Sequence, residues 1–175
     1  MSYEGDYFEE YLKRDDTDIG RELTKARSAL VSKHYHGGVV DIGIGGGAFV
    51  EHHDCFGYDV NQSAVECLES HGRFCDPYLE KVNAITCWDS LEHIWEPGEL
   101  LRQVGKYVFM SIPIFDGVDH ILSSKHYKPG EHIYYFTNEG LIKYMDGHGF
   151  KMLECNDMET VIGREGILSY VFKRK

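Results

Sequence analysis

One short segment constrains this chain more than any other. Val39-Val40-Asp41-Ile42 is a β-rich run that empties into Gly43-Ile44-Gly45-Gly46-Gly47, and Ala48, Phe49 and Val50 then open a short helix. Glycines at a strand-to-helix crossing permit positive φ and let a ligand lie against bare backbone. A crossing of this kind belongs to an α/β sheet.

The rest of the chain repeats that alternation. Tyr7 to His34 reads as one helix, with Leu23, Ala26, Leu30 and Val31 at helical spacing. Cys55 to Val60 reads as a second strand, Gln62 to Ser70 as a helix and Gly72 to Cys75 as a brief third strand. Val82 to Trp88 is a stronger strand, followed by a helix-loop around Leu91 to Glu96 and a helix over Glu99 to Val104. Tyr107 to Ile112 is the most apolar strand. Asn138 to Gly147 reads as a helix started by Thr137, and Phe150 to Cys155 and Ile167 to Lys173 as two antiparallel strands. Strands alternating with helices predict a mostly parallel sheet covered on both faces. Between them, Asp116 to Phe136 is polar, aromatic and without periodicity, which suits a lid or substrate-binding segment.

Two ligand classes use such a glycine loop. Gly43, Gly45 and Ala48 satisfy the dinucleotide pattern G-x-G-x-x-G/A, so a nicotinamide-dependent oxidoreductase is one reading. Asp41 weighs against it, because a carboxylate at the end of the first strand is awkward beside a pyrophosphate. It suits a ligand carrying an ammonium, such as the methionine end of S-adenosylmethionine. Asp59, eighteen residues further on, can accept both hydroxyls of a ribose and fits either ligand.

Charge and composition narrow the partners. The net charge of −11 repels a phosphate backbone, so nucleic acid is disfavoured as partner and a small-molecule acceptor is expected. No apolar stretch approaches the ~20 residues that span a bilayer. Met1 to Glu10 lacks the basic-then-apolar pattern of a secretory signal, and a cytoplasmic location is expected. Cys55, Cys67, Cys75, Cys87 and Cys155 are an odd, dispersed set that reads as reduced thiols.

Val39 to Gly47 resembles the first motif of class I S-adenosylmethionine-dependent methyltransferases, and three later segments follow in order. Cys87-Trp88-Asp89-Ser90-Leu91-Glu92-His93-Ile94 is similar to their D-x-L-E-H segment, Ser111-Ile112-Pro113 to the end of their fifth strand, and His132 to Thr137 to a late segment. The likeness is closest to small-molecule, ubiquinone-type O-methyltransferases. It implies a Rossmann-like seven-stranded sheet of order 3-2-1-4-5-7-6, with strand 7 antiparallel. It further implies a single methyltransferase domain over residues 1–175: a helical cap over 1–36, a cofactor-binding half over 37–115, and a lid with C-terminal hairpin over 116–175. The cofactor-binding residues implied are Asp41, Gly43, Ile44, Gly45, Gly47, Asp59, Val60, Asp76, Trp88, Asp89 and Ser90. Asp59 follows Gly47 by only twelve positions, so the first helix must be cut to one or two turns. That shortening leaves room for a catalytically incomplete or partner-dependent subunit, with a homodimer or a partner protein open.

Methyl transfer to oxygen or nitrogen needs proximity and exclusion of water more than any single residue. His93 is the candidate base, since imidazole titrates near neutral pH. His126, Tyr127, His132 and Tyr134 are the expected acceptor-binding residues of the lid, and Tyr7, Tyr11 and Arg27 could cover the cofactor. His120, His126 and His132 recur every six residues, which is not the spacing of a local zinc motif, and no metal is expected. A [DNS]-P-P-[YF] motif and a proline-cysteine nucleophile, the marks of DNA amino- and base-carbon methylation, are both missing from the loop around Asp89. A nucleotide or nucleic-acid acceptor is the remaining alternative.

Overall fold

The computed structural model describes residues 5–175, with side chains from Phe8 onward, so the side chain of Tyr7 lies outside the described residues. Six strands form one sheet: β1 (Val39–Ile42), β2 (Phe56–Tyr58), β3 (Val82–Trp88), β4 (Val104–Pro113), β5 (Phe150–Asn156) and β6 (Ile167–Arg174). Their order is β2-β1-β3-β4-β6-β5. β1 to β4 pair in parallel, and β6 runs antiparallel to both β4 and β5.

This is the expected order with one strand short. The Gly72 to Cys75 segment does run alongside β2, but only as a single parallel bridge, Gly57 to Phe74. The Gly57 amide donates to Arg73 O and the Cys75 amide to Gly57 O before Asp76-Pro77 turns the chain away. Two hydrogen bonds are too few to propagate a strand, so the third of the seven expected strands reduces to a bridge.

Period-two alternation sends the strand residues to two cores. Val40, Ile42, Ile85, Cys87, Val108, Met110 and Ile112 face α5 (Pro97–Gln103) and α7 (Asn138–Gly147) through Leu100, Leu101, Leu141 and Met145. Val39, Ala84, Phe109 and Val171 face the other way. They meet α2 (Asp18–His34), α3 (Ala48–His53) and α4 (Gln62–Ser70) through Leu30, Val31, Phe49, Val50, Ala64 and Leu68. Among the described residues no helix is long and apolar enough to cross a membrane.

The leading helix is two helices, not one. α1 (Gly5–Asp15) ends in an acidic stretch, and Thr17 caps α2 by accepting from the Gly20 amide at 3.0 Å. That cap satisfies an otherwise unpaired N-terminal amide and lets the chain change direction. Two short helices also appear where periodicity gave no sign of them: α6 (Val118–Ser123) within the lid and α8 (Met158–Ile162) between β5 and β6.

Candidate active site

The strand order reverses between β1 and β3, and ligands of open α/β sheets bind beyond the strand ends at such a point. Beyond the end of β1, Gly43, Gly45 and Gly47 have φ of +75°, +57° and +86°. A Cβ on Gly43 would fall 2.9 Å from Ser90 Cβ, so glycine is required there both for conformation and for the approach of the loop after β3.

Asp59 locks this loop. The Ile44 amide donates to Asp59 Oδ2 at 2.9 Å and the Asn61 amide to Oδ1 at 2.8 Å. Burial pushes the Asp59 pKa up, against these backbone hydrogen bonds. The carboxylate has four lone pairs in all, so beyond its backbone donors it keeps acceptor capacity for a ribose hydroxyl. Val60 beside it is exposed.

Asp41 lies on β1 directly opposite Thr86 of β3 and is 1% exposed. The Thr86 hydroxyl donates to Asp41 Oδ1 at 2.5 Å. Burial pushes the Asp41 pKa up to about 7, partly offset by the Thr86 hydrogen bond. A cation brought alongside would therefore be well received.

The helix α1 is seated on the glycine loop. A Cβ at Gly45 would fall 2.8 Å from Tyr11 Cδ1, and one at Gly46 would meet Leu12 N at 2.8 Å and Asp15 Oδ2 at 2.6 Å. Asp15 also accepts from the Ala48 amide at 3.5 Å, and burial raises its pKa. Tyr11 thus lies against the loop. Arg27 does something else.

Arg27, Asp89, Glu159 and Arg164 form a compact ion cluster that sequence reasoning missed. Glu159 of α8 is fully buried; Arg27 Nε donates to its Oε1 at 2.7 Å and Arg164 Nη1 to its Oε2 at 2.5 Å. Both arginines also reach Asp89 Oδ2, Arg164 at 2.5 Å and Arg27 at 3.3 Å. Two cations and two carboxylates balance. Burial works to raise the Asp89 pKa, but the charges of Arg164 and Arg27 prevail and hold it below the usual carboxylate range. Asp89 has φ +55°, and its Oδ1 is buried with no hydrogen-bond partner among the described residues. Nothing in local spacing marks this cluster, since Arg27 and Glu159 are 132 residues apart.

The other expected cofactor residues divide. Ser90 lies against Gly43 of the glycine loop, whereas the Trp88 ring is turned into the core, 5.4 Å from the Phe49 ring with the Arg27 guanidinium 5.2 Å above it. Asp76 caps a turn, accepting from the Tyr78 amide at 2.8 Å.

The lid residues divide as well. His126 packs against the loop before β6, its Nε2 2.8 Å from Glu165 O. Tyr127 is 40% exposed and leans on Tyr135. Tyr134 points away, donating to Trp95 O at 2.7 Å and stacking on Phe136. His120 pairs with Asp116 at 3.2 Å, so the six-residue histidine series is not brought together. His132 instead meets His93, ring centroids 4.7 Å apart. His93 follows Glu92 in the 3-10 turn Leu91–His93. Burial lowers the pKa of His93, and lowers that of His132 to about 4, so both rings are neutral at pH 7.

A family model described as a methyltransferase domain matches residues 11–155. The chain belongs to this methyltransferase family. Solved structures of the same fold include magnesium protoporphyrin IX methyltransferase from Synechocystis PCC 6803 with bound SAH, at 13% identity and TM-score 0.63 over 90% of this chain and 84% of that one. A SAM-dependent methyltransferase from Archaeoglobus fulgidus is 19% identical, at TM-score 0.60 over 88% and 94%. A chain of the complex formed by the Haloferax volcanii Trm112 methyltransferase activator aligns at TM-score 0.68 and 15% identity over 97% and 96%. No curated protein sequence matches this methyltransferase significantly.

Proposed function

We propose that this methyltransferase transfers the methyl group of S-adenosylmethionine to an oxygen or nitrogen of a small-molecule acceptor. The observation that carries the reading is the loop from Asp41 to Gly47, three of whose glycines are left-handed and whose Ile44 amide is held by Asp59. The residues fit that cofactor. Asp41 is a buried carboxyl suited to an ammonium, Asp59 keeps acceptor capacity for a ribose hydroxyl, and Asp89 Oδ1 is a buried acceptor in want of a donor.

When bound, the cofactor supplies a methyl group already activated on sulfonium sulfur. The chain's own work is then to hold, orient and exclude water, which can supply ~7–11 kcal/mol of the barrier. The Arg27 and Arg164 pairs fix Asp89 in its left-handed conformation at the lip of the cleft. The His132 lid segment closes over the turn carrying His93, because the Ile133 amide donates to Glu92 O at 2.8 Å. His93, whose pKa burial lowers, is the base whose ring nitrogen takes the acceptor's proton.

The small-molecule class is favoured by the net charge of −11, and magnesium protoporphyrin IX methyltransferase, a solved neighbour, acts on a small molecule by its name. The test is formation of S-adenosylhomocysteine from S-adenosylmethionine with a panel of phenols, carboxylates and amines, alongside RNA and DNA oligonucleotides. Turnover confined to small molecules supports the reading; turnover confined to oligonucleotides contradicts it.

A further inference from the structure

We infer that the methyl acceptor is a primary amine, bound as its ammonium ion by Glu92, His93 and His132; this rests on the methyl-transfer reading and narrows its target from oxygen or nitrogen to nitrogen. The turn that carries Glu92 and His93 begins beside the glycine loop, where a Cβ on Gly43 would fall 2.9 Å from Ser90 Cβ.

Glu92 is 1% exposed, and neither of its carboxylate oxygens has a hydrogen-bond partner among the described residues. A buried acid so placed is costly unless a donor joins it. The cations nearby are already engaged: Arg164 with Asp89 and Glu159, and Lys128 with Glu131 at 3.5 Å. Burial, and then the charge of Asp89, push the Glu92 pKa well above the carboxylate range, so it is a cationic donor that brings out the charged form.

The two histidines add acceptors, not donors. His93 Nδ1 is 3.0 Å from Glu131 O. A carbonyl can only accept, so Nδ1 carries the proton and Nε2 keeps a free lone pair. Neither ring nitrogen of His132 has a hydrogen bond among the described residues, and burial lowers its pKa to about 4, so this neutral ring offers a lone pair too. One oxygen of Glu92 and one nitrogen of each ring lie within 4.8 Å of one another. Acceptors placed ~2.8 Å from one ammonium nitrogen stand roughly 4.6 Å apart, so a single –NH3+ group reaches all three. An alcohol has one proton to give and leaves two acceptors unpaired. A carboxylate has none.

Aromatic side chains continue from His132. Tyr135 lies 5.7 Å from its ring, and Phe115 and Tyr127 each lie 5.7 Å from Tyr135. That wall suits the carbon skeleton of an aryl or alkyl amine, and aromatic faces attract its cation. The net charge of −11 draws the same class of molecule.

The transfer balances with no further reactant. The bound ammonium gives one proton to His93 Nε2, and the freed nitrogen lone pair forms the C–N bond to the methyl carbon. The C–S bond breaks with its electron pair left on sulfur. The products are the protonated N-methylamine and S-adenosylhomocysteine, and His93 returns its proton to solvent.

The test is calorimetry in buffer containing EDTA, with protein saturated by S-adenosylhomocysteine and probes that share a skeleton. Phenethylamine, phenethyl alcohol and phenylacetate form one series; hexylamine, hexanol and hexanoate form the other. In each series the amine is expected to bind about tenfold more tightly than the alcohol, or better. Glu92→Gln should cut amine affinity by about 10–100-fold while S-adenosylhomocysteine affinity is kept. Equal or tighter binding of an alcohol or carboxylate, no binding of either amine, or an unaltered preference in Glu92→Gln overturns the inference. Should Glu92→Gln fail to fold, the comparison of probes on the wild-type protein decides. Failure to bind S-adenosylhomocysteine at all contradicts the methyl-transfer reading itself, so the two failures are told apart.

Discussion

The Thr86 hydroxyl donates to Asp41 Oδ1 at 2.5 Å across the register of β3 and β1. The Asp41 carboxyl is 1% exposed, and its pKa rises to about 7 because burial outweighs this hydrogen bond. A carboxyl raised on folding contributes stability that is complete below its unfolded pKa of about 3.9 and lost as pH rises through its folded value. The apoprotein should therefore lose stability between about pH 4 and pH 7 through this group, by an order of magnitude of 4 kcal/mol. Asp41→Asn should flatten that slope in denaturant melts. A cofactor ammonium acts oppositely: it favours the ionised carboxylate, so affinity for S-adenosylhomocysteine should climb as pH rises through 7, with proton release on binding. Calorimetry in buffers of different ionisation enthalpy reads that proton directly.

Asp59→Ala removes the acceptor of the Ile44 and Asn61 amides. Leaving a partly buried amide unpaired costs about 1–3 kcal/mol. Cofactor affinity should fall by more than about tenfold, since at least one charge-assisted hydrogen bond to a ribose hydroxyl goes with it. Asp59→Asn, which keeps one acceptor, should lie between. A folded Asp59→Ala protein with unaltered affinity would remove Asp59 from the site.

Breaking the buried ion cluster should be costly. Arg164→Ala strands Glu159, whose side chain is fully buried, with Arg27 as its sole remaining cation. A destabilisation of about 3–5 kcal/mol is expected in urea unfolding. The double variant Glu159→Gln/Arg164→Met should lose less than the single one, because it removes the uncompensated charge. A larger loss in the double variant would show that packing, not charge, is at stake.

Gly46→Ala tests whether α1 is seated on the cofactor loop. Its new methyl would meet Leu12 N at 2.8 Å and Asp15 Oδ2 at 2.6 Å, so the helix must lift. Limited trypsin cleavage at Lys13 and Arg14 should accelerate, and bound cofactor should dissociate faster. Unchanged proteolysis would mean that α1 tolerates the methyl in place.

What could be read in advance follows from what is local. Gln62–Ser70, Val82–Trp88 and Asn138–Gly147 were delimited to the residue, because a cap or a continuous apolar run sits at each boundary. The glycine loop and Asp59 were legible for the same reason: their chemistry lies within one βαβ unit. The break at Thr17 was carried by a capping residue inside an acidic run, yet helical periodicity on either side masked it. Residues that act through distant partners gave no signal. Glu159 and Arg164 are unremarkable until the fold brings Arg27 and Asp89 to them. Glu92 stands inside the D-x-L-E-H segment, but only burial of both its oxygens distinguishes it from a solvated surface acid. Tyr134 gave no local sign of its partner either: its hydroxyl donates to Trp95 O, 39 residues away in the chain.

The most direct test of the central claim is calorimetric titration of the purified protein with S-adenosylmethionine, S-adenosylhomocysteine and NADH in parallel. The site built from Asp41, the glycine loop and Asp59 predicts one-to-one binding of both sulfur nucleotides and none of NADH. Binding of NADH alone, or of none of the three, would contradict it.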